Sequence, residues 1–246
     1  MRAKIYGLVI NLDRSPERWL LAKDAFKYTN ISAERLSAVD GENLENQPSQ
    51  LERLLKKHGR KFQLGELACY YSHINALDKF IASKKEFILV LEDDARPSAN
   101  INEIVDILEL VRCSEHLHDA FINLANPPHK LFRHTNNFGS SNKLLRCYHF
   151  PISAMAIIWS RAAAKEFLAT YREPNLPFDC ALRDFNRSYK KGYGVKDQLV
   201  CGDLDLASEI EKFGQRRKRS ISKGWKLKAW RLEHTINAFF QKLADT

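Results

Sequence analysis

No run of about 18 consecutive apolar residues occurs in the 246-residue chain, which excludes a membrane-spanning helix. Cysteine is scarce and scattered. Cys69, Cys113, Cys147, Cys180 and Cys201 are odd in number and form no Cys-x-x-Cys pair. That argues against a zinc site or a disulfide scaffold; they read as small core residues of a protein kept in a reducing cytoplasm. Internal repeats and low-complexity blocks are also missing. The N-terminal apolar stretch MRAKIYGLVINL is too short for a signal peptide and has no small-residue cleavage site, so it reads as the first strand. What remains, 44% hydrophobic and 28% charged residues, is the composition of a soluble globular chain with one sizeable core.

The net charge of +9 is concentrated at one end. From Arg216 onward nine Lys or Arg face only Glu233 and Asp245, a balance of +7, whereas the other 215 residues contribute only +2. The basicity therefore belongs to the tail, and such an asymmetry points to an anionic membrane or a nucleic acid as partner of that segment.

One short stretch carries the chemistry. In FILVLEDDARP (87–97), five apolar residues end in Glu92, Asp93 and Asp94. The run reads as a buried parallel strand. Three adjacent acids repel one another, and on an extended chain Glu92 and Asp94 point the same way, a geometry suited to a hard divalent cation. The plain alternative is a solvated acidic turn that stops a strand.

Strand-like stretches at 5–12, 35–39, 87–91, 120–124, 144–150, 153–159 and 193–200 alternate with helical patterns. The helices fall near 15–28, 50–58, 66–81, 101–111, 161–171 and 178–190, with 126–142 as a loop. Ser15 and Pro16 supply a helix start, and Asp40-Gly41 a turn. Alternation of this kind predicts an α/β fold with a mostly parallel sheet covered on both faces. Ligands of such sheets bind beyond the carboxyl ends of the strands, where Asn11, Asp13, Asp40 and the acids at 92–94 all fall.

Four stretches in register, VINLDRSPERW (9–19), SAVDGENL (37–44), GELACYYSH (65–73) and ILVLEDDARP (88–97), resemble glycosyltransferase family 25, the bacterial lipooligosaccharide β-galactosyltransferases and their relatives. A weaker fifth, AMAIIWSRAAAKEFL (154–168) leading to LPFD (176–179), extends the resemblance over residues 4 to 210. Ala68-Cys69 stands where the family usually has Gly-Cys, Trp19 replaces a frequent basic residue, and Val195-Lys196-Asp197 lacks a proline often seen. The resemblance implies a GT-A nucleotide-sugar fold over residues 1–213, an inverting mechanism and manganese (or magnesium) as cofactor. The donor is a UDP-sugar, UDP-galactose first among them, and the acceptor a lipid-linked saccharide extended in β linkage. Other donors, such as glucose or N-acetylhexosamine, and other glycan acceptors stay open.

Within that scheme Asp94 is the direct metal ligand, with Glu92 beside it. Glu92 and Asp93 hold the ribose or the metal's waters. Asn11, Asp13 and Arg14 lie near the nucleotide, Arg14 or Arg18 bonds phosphate, and Asp40 and Gly41 form the next wall. Asp179 is the first candidate for the base that deprotonates the acceptor, against a plain role as helix cap; Asp184, Asp197 and Asp203 compete for the task. His73 and the tyrosines Tyr70 and Tyr71 read more simply as helical core residues.

Two other classes compete with this one. An aspartate-nucleophile phosphatase wants Asp-x-Asp after the first strand, where this chain has Asn11-Leu12-Asp13. A nucleic-acid binder would use Arg216-Arg217-Lys218-Arg219, but no recognised nucleic-acid motif precedes that patch, so no nucleic acid is expected. The segment 214–246 instead predicts a basic amphipathic helix. Trp225, Ala229, Leu232, Ile236, Phe239, Phe240 and Leu243 share one stripe, flanked by Lys226, Arg231, His234 and Lys242, with Leu227 and Trp230 intruding on the polar side. The stripe would rest on the inner face of the cytoplasmic membrane, or pack on the domain or a second subunit.

Overall fold

The computed structural model describes residues 5–44, 63–128, 130–203 and 225–245, the side chains of 225–228 excepted. The expected helix near 50–58, the basic run Arg216–Arg219 and the division at 213/214 lie outside the described residues.

The chain opens with β1 (Ile5–Asn11), α1 (Pro16–Ala25) and β2 (Ile31–Ser37), then a 3₁₀ turn (Gly41–Leu44). After it come α2 (Leu64–Ala82), β3 (Phe87–Glu92), β4 (Ala95–Pro97) and α3 (Glu103–Cys113). The strands β5 (Phe121–Asn123), β6 (Phe132–Phe138), β7 (Asn142–Cys147) and β8 (Ala156–Ser160) lead into α4 (Arg161–Tyr171) and α5 (Phe178–Tyr189). The last described elements are β9 (Gly192–Val195), β10 (Val200–Gly202) and α6 (Trp225–Ala244).

Among the described residues, eight strands make one sheet in the order β2-β1-β3-β8-β5-β9-β7-β6, and β10 pairs with β4 in a separate ribbon. β1 pairs in parallel with both β2 and β3, and β5 with β9, while β8 and β7 run against their neighbours. The fold is therefore mixed α/β with a large, mostly parallel central sheet, as the alternation of elements implied. Its register brings Asn11, Ser37 and Glu92 to one edge, since Asn11 faces Ser37 and Ile10 faces Glu92.

The apolar run of β3 follows from covering both faces. Phe87, Leu89 and Leu91 pack with α1 and α3 on one side, whereas Ile88 and Val90 pack with α2, α4 and α5 on the other. All five are buried. Each such side chain contributes about 1.5–3 kcal/mol when taken from water, so the strand that carries the acids is among the most firmly held parts of the chain. On the second face an aromatic group of Phe121, Phe150, Trp159, Phe167 and Phe185 stacks edge to face and tilted, and Phe178 continues it toward the site.

Local expectations fail where their cues are weak. Residues 126–142 are not one loop, because 132–138 form β6, an outer strand whose residues Phe132-Arg133-His134-Thr135-Asn136-Asn137-Phe138 are mostly solvated. An edge strand needs no apolar alternation, so its pattern is invisible. Its return turn uses Gly139 at φ +58, where a Cβ would also strike Glu103 at 2.5 Å. The expected strand 193–200 is two strands, β9 and β10, which belong to different sheets. Ser15 stands at the start of α1 without a capping hydrogen bond from its side chain. Among the described residues no helix is long and apolar enough to cross a membrane.

Candidate active site

A cleft enclosing about 130 Å³ opens beyond the ends of β1 and β3, lined by Glu92, Asp93 and Asp94 on one side and Gly65, Ala68, Cys69, Ser72 and His73 of α2 on the other. Leu12, Arg18, Val39 and Gly41 close the remaining wall. The N-terminal turn of α2 is set by a capping box, Gln63 with Glu66, and Gly41 approaches it so closely that a Cβ would meet the Gly65 amide at 3.4 Å. α2 therefore presents its first three turns to the cleft.

The three acids do not behave alike. Because β3 ends at Glu92 and Asp93-Asp94 turn, the extended geometry that would have aligned Glu92 with Asp94 is absent. Asp93 turns toward the sheet end, where Arg18 forms an ion pair with it and Asn11 Nδ2 donates to it at 2.8 Å. Asn11 is 1% exposed; its amide also donates to the Ser15 carbonyl and its oxygen accepts from Arg35 Nε at 2.8 Å. Glu92 faces α2, with His73 Nε2 3.4 Å and Cys69 Sγ 3.8 Å from its Oε1. Asp94 keeps a buried Oδ1 that no protein group bonds among the described residues. Burial, then the charges of Glu92 and Asp93, push its pKa up to about 6. This is a site short of positive charge.

Two donor sets are available to a cation. Asp94 and Glu92 offer the oxygens that manganese or magnesium takes, and the unbonded Asp94 oxygen fits such an ion. Cys69, His73 and Glu92 form a second set, whose ligand atoms all lie within 4.8 Å of one another, a mixture suited to borderline metals. The sequence assigns Cys69 and His73 to the core and not to a ligand set. Their spacing of four residues on one helix was the available signal, but only the packing of α2 against β3 shows that they meet Glu92. Phe178 fixes the His73 ring by stacking on it at 4.1 Å. Burial, then Glu92 and Asp179, raise the Cys69 thiol well above its ordinary value, so it is protonated at neutral pH without a metal.

The other expected site residues distribute as follows. Asp179 lies in the first turn of α5, accepting from the Cys180 amide at 2.7 Å, with Glu66 and Glu92 near enough to act on it electrostatically. Burial foremost, and then those acids, raise its pKa. It is not the residue that begins the helix, which starts at Phe178 after Pro177. Asp13 is exposed and takes hydrogen bonds from Ser37 at 2.8 Å and Arg35 at 2.6 Å. Arg14 pairs with Asp40, which also accepts the Glu42 amide. Neither Asp13 nor the Arg14–Asp40 pair lines the cleft, whereas Gly41 does. Tyr70 is buried, with its hydroxyl on the Tyr171 carbonyl at 2.6 Å, so it is a core residue. Among the competitors, Asp184 is engaged by Tyr171 and His234. Asp203 pairs with Arg96 at 2.9 Å, and its amide reaches the Asp94 carbonyl at 2.8 Å.

An acid-lined cleft beyond the carboxyl ends of a doubly covered sheet is the layout of an enzyme that binds a small ligand there. Glycosyltransferase family 25 (LPS biosynthesis protein) matches residues 4–182, and the chain belongs to that family. A glycosyltransferase 25 family member of Drosophila melanogaster is 34% identical over 100 residues, and one of Aedes aegypti is 34% identical over 97. Each match covers 36% of this chain and 16% of the relative, so only a small part of those longer proteins is represented. A crystal structure of a glycosyltransferase involved in glycosylation of the PBCV-1 major capsid aligns over 83% of this chain and 94% of that one. Its TM-score of 0.37 at 10% identity is too low to carry an inference about fold or site.

Proposed function

We propose that the protein is a divalent-metal-dependent, inverting transferase of GT-A type. It moves a hexose, galactose from UDP-galactose, onto a lipopolysaccharide- or lipooligosaccharide-type saccharide in β linkage. The observation that carries this reading is Asp94, a half-buried carboxylate with one buried, unbonded oxygen and a raised pKa beside two further acids in the cleft. Asp94 and Glu92 would hold manganese or magnesium, and the ion when bound supplies positive charge against the diphosphate leaving group. The family's description supports a lipopolysaccharide-type acceptor. The insect source of the matched relatives favours a second reading for the acceptor alone, a different glycan.

The chain's own residues do the remaining work. Arg18 and Asn11 fix Asp93, and with it the turn that presents Asp94. Asp179 is the proposed base: burial foremost raises its pKa, which strengthens the carboxylate as a proton acceptor. It takes the proton of the acceptor hydroxyl as that oxygen attacks the anomeric carbon from the face opposite the diphosphate.

Thermal shift with manganese and a panel of nucleotide sugars tests the donor. UDP-galactose should raise the melting temperature above the shifts given by UDP-glucose, UDP-N-acetylhexosamines and GDP-sugars. A larger shift by another nucleotide sugar replaces the donor, and no shift by any of them overturns the reading. Asp179→Ala should abolish transfer and leave UDP-sugar affinity within about threefold of wild type, since a base acts on the acceptor. A variant that instead loses donor affinity, or transfers normally, removes Asp179 from the role.

A further inference from the structure

The tail helix sits on the domain by the side opposite to its apolar stripe. α6 packs against α5 through Trp230, His234 and Ala238, of which His234 and Ala238 are 4% and 2% exposed. His234 Nε2 lies 3.2 Å from Asp184, and Gln241 donates to the Arg187 carbonyl at 2.9 Å. These contacts recur every three or four residues and fix the rotation of the helix. The opposite side then points away from the protein. Leu232, Ile236, Phe239, Phe240 and Leu243 are 61%, 45%, 50%, 63% and 56% exposed, and Ala229 between them is exposed too. Among the described residues the stripe therefore packs on no part of the domain. Among the described residues these five make up most of the exposed large apolar side chains, and all lie on one helix face. A contiguous apolar face of this kind marks an interaction surface.

Its charge decides the partner. Glu233 on the helix and Asp245 just beyond it are both paired with bases of the domain: Glu233 meets Arg187 at 2.8 Å and Asp245 meets Arg146 at 2.5 Å. The Tyr148 hydroxyl adds a bond to Asp245 at 2.9 Å. Beside the stripe Arg231 and Lys242 are exposed, and the sequence itself carries Lys226 and Lys228 next to them and Arg216, Arg217, Lys218, Arg219 and Lys223 before them. Self-association through the stripe would set these like charges of two copies against each other. An apolar face flanked by cations, with the two nearby anions paired to arginines of the domain, complements a surface that is apolar beneath and anionic on top.

We infer that α6 is an interfacial membrane anchor that lies in the plane of an anionic bilayer, Phe239 and Phe240 inserted among the acyl chains, and holds the catalytic domain against that surface. The inference does not depend on donor or acceptor identity. The 246-residue protein is sedimented with vesicles of phosphatidylcholine alone and with vesicles containing about 30% phosphatidylglycerol. Binding to the anionic vesicles should exceed binding to the neutral ones at least tenfold and weaken as salt is raised. F239S/F240S should lose at least tenfold of that binding while keeping the melting temperature close to wild type, because both side chains are at least half exposed. Sedimentation velocity without vesicles gives the competing outcome. A wild-type dimer that the double substitution converts to monomer, with no anionic preference in vesicle binding, overturns the anchor in favour of a second copy. Vesicle binding unaffected by F239S/F240S overturns it as well.

Discussion

Asp94→Asn lowers metal-dependent turnover by about 10²- to 10³-fold, the several kcal/mol a bound ion contributes to a developing anion. The same substitution stabilises the metal-free protein at neutral pH. Asp94 has its pKa raised from 3.8 to about 6 by burial and by Glu92 and Asp93. A carboxyl whose folded value exceeds its unfolded one binds protons on folding, so it lowers stability as pH rises from about 4 to about 6 and leaves it lowered above. Two units correspond to about 3 kcal/mol, reduced to about 1–2 kcal/mol because the group is partly solvated and shares its repulsion with two neighbours. Asn removes the charge, and the variant should melt roughly 2–8 °C above wild type at pH 7.5 in chelator, with a smaller difference at pH 4.5. Wild-type metal affinity should fall as pH drops through about 6. Full manganese-dependent activity in the variant would remove Asp94 from the metal, and a lower melting temperature at pH 7.5 would remove the electrostatic account of its environment.

Arg18→Ala should be the most damaging single change near the site. Arg18 and Asp93 are both 7% exposed, and their pair joins α1 to the turn after β3. Removing one partner leaves a buried carboxylate beside two others, which costs about 3–5 kcal/mol, or roughly 6–20 °C in melting temperature for a chain of this size. Arg18 also counters the rise in the Asp94 pKa, so the acid limb of activity should move to higher pH in the variant. Arg14→Ala is the control. Its pair with Asp40 is far more solvated, with side chains 31% and 22% exposed, and should contribute no more than about 1 kcal/mol. Equal losses from the two substitutions in thermal melts would show that burial does not distinguish the pairs.

Residues near the site differ in how much of their role could be read beforehand. Asn11 and Asp93 were expected at the ligand because they stand at strand ends, and they do stand there. Their side chains are spent on each other and on Arg18 and Arg35, a use that depends on which strands lie side by side. His73 read as a core residue, and it is buried, yet it also touches Glu92. A helical pattern tells which side of α2 faces inward but not which acid it will meet. The tail shows the same division. Its period marked an apolar stripe correctly, while the intruding Trp230 turned out to be part of the docking side.

By itself the sequence determined the alternation of strands and helices, the buried strand that ends in three acids, the family to which the chain belongs and the basic amphipathic helix. These properties rest on period, composition and local order, which a chain carries without folding. The tertiary structure decided the rest: that Asp93 is paired and Asp94 is not, that Cys69 and His73 share Glu92, that β6 completes an edge, and that α6 turns its apolar stripe outward. Each of these is a contact between residues far apart in the chain, set by strand order and helix packing, and no local pattern encodes such partners.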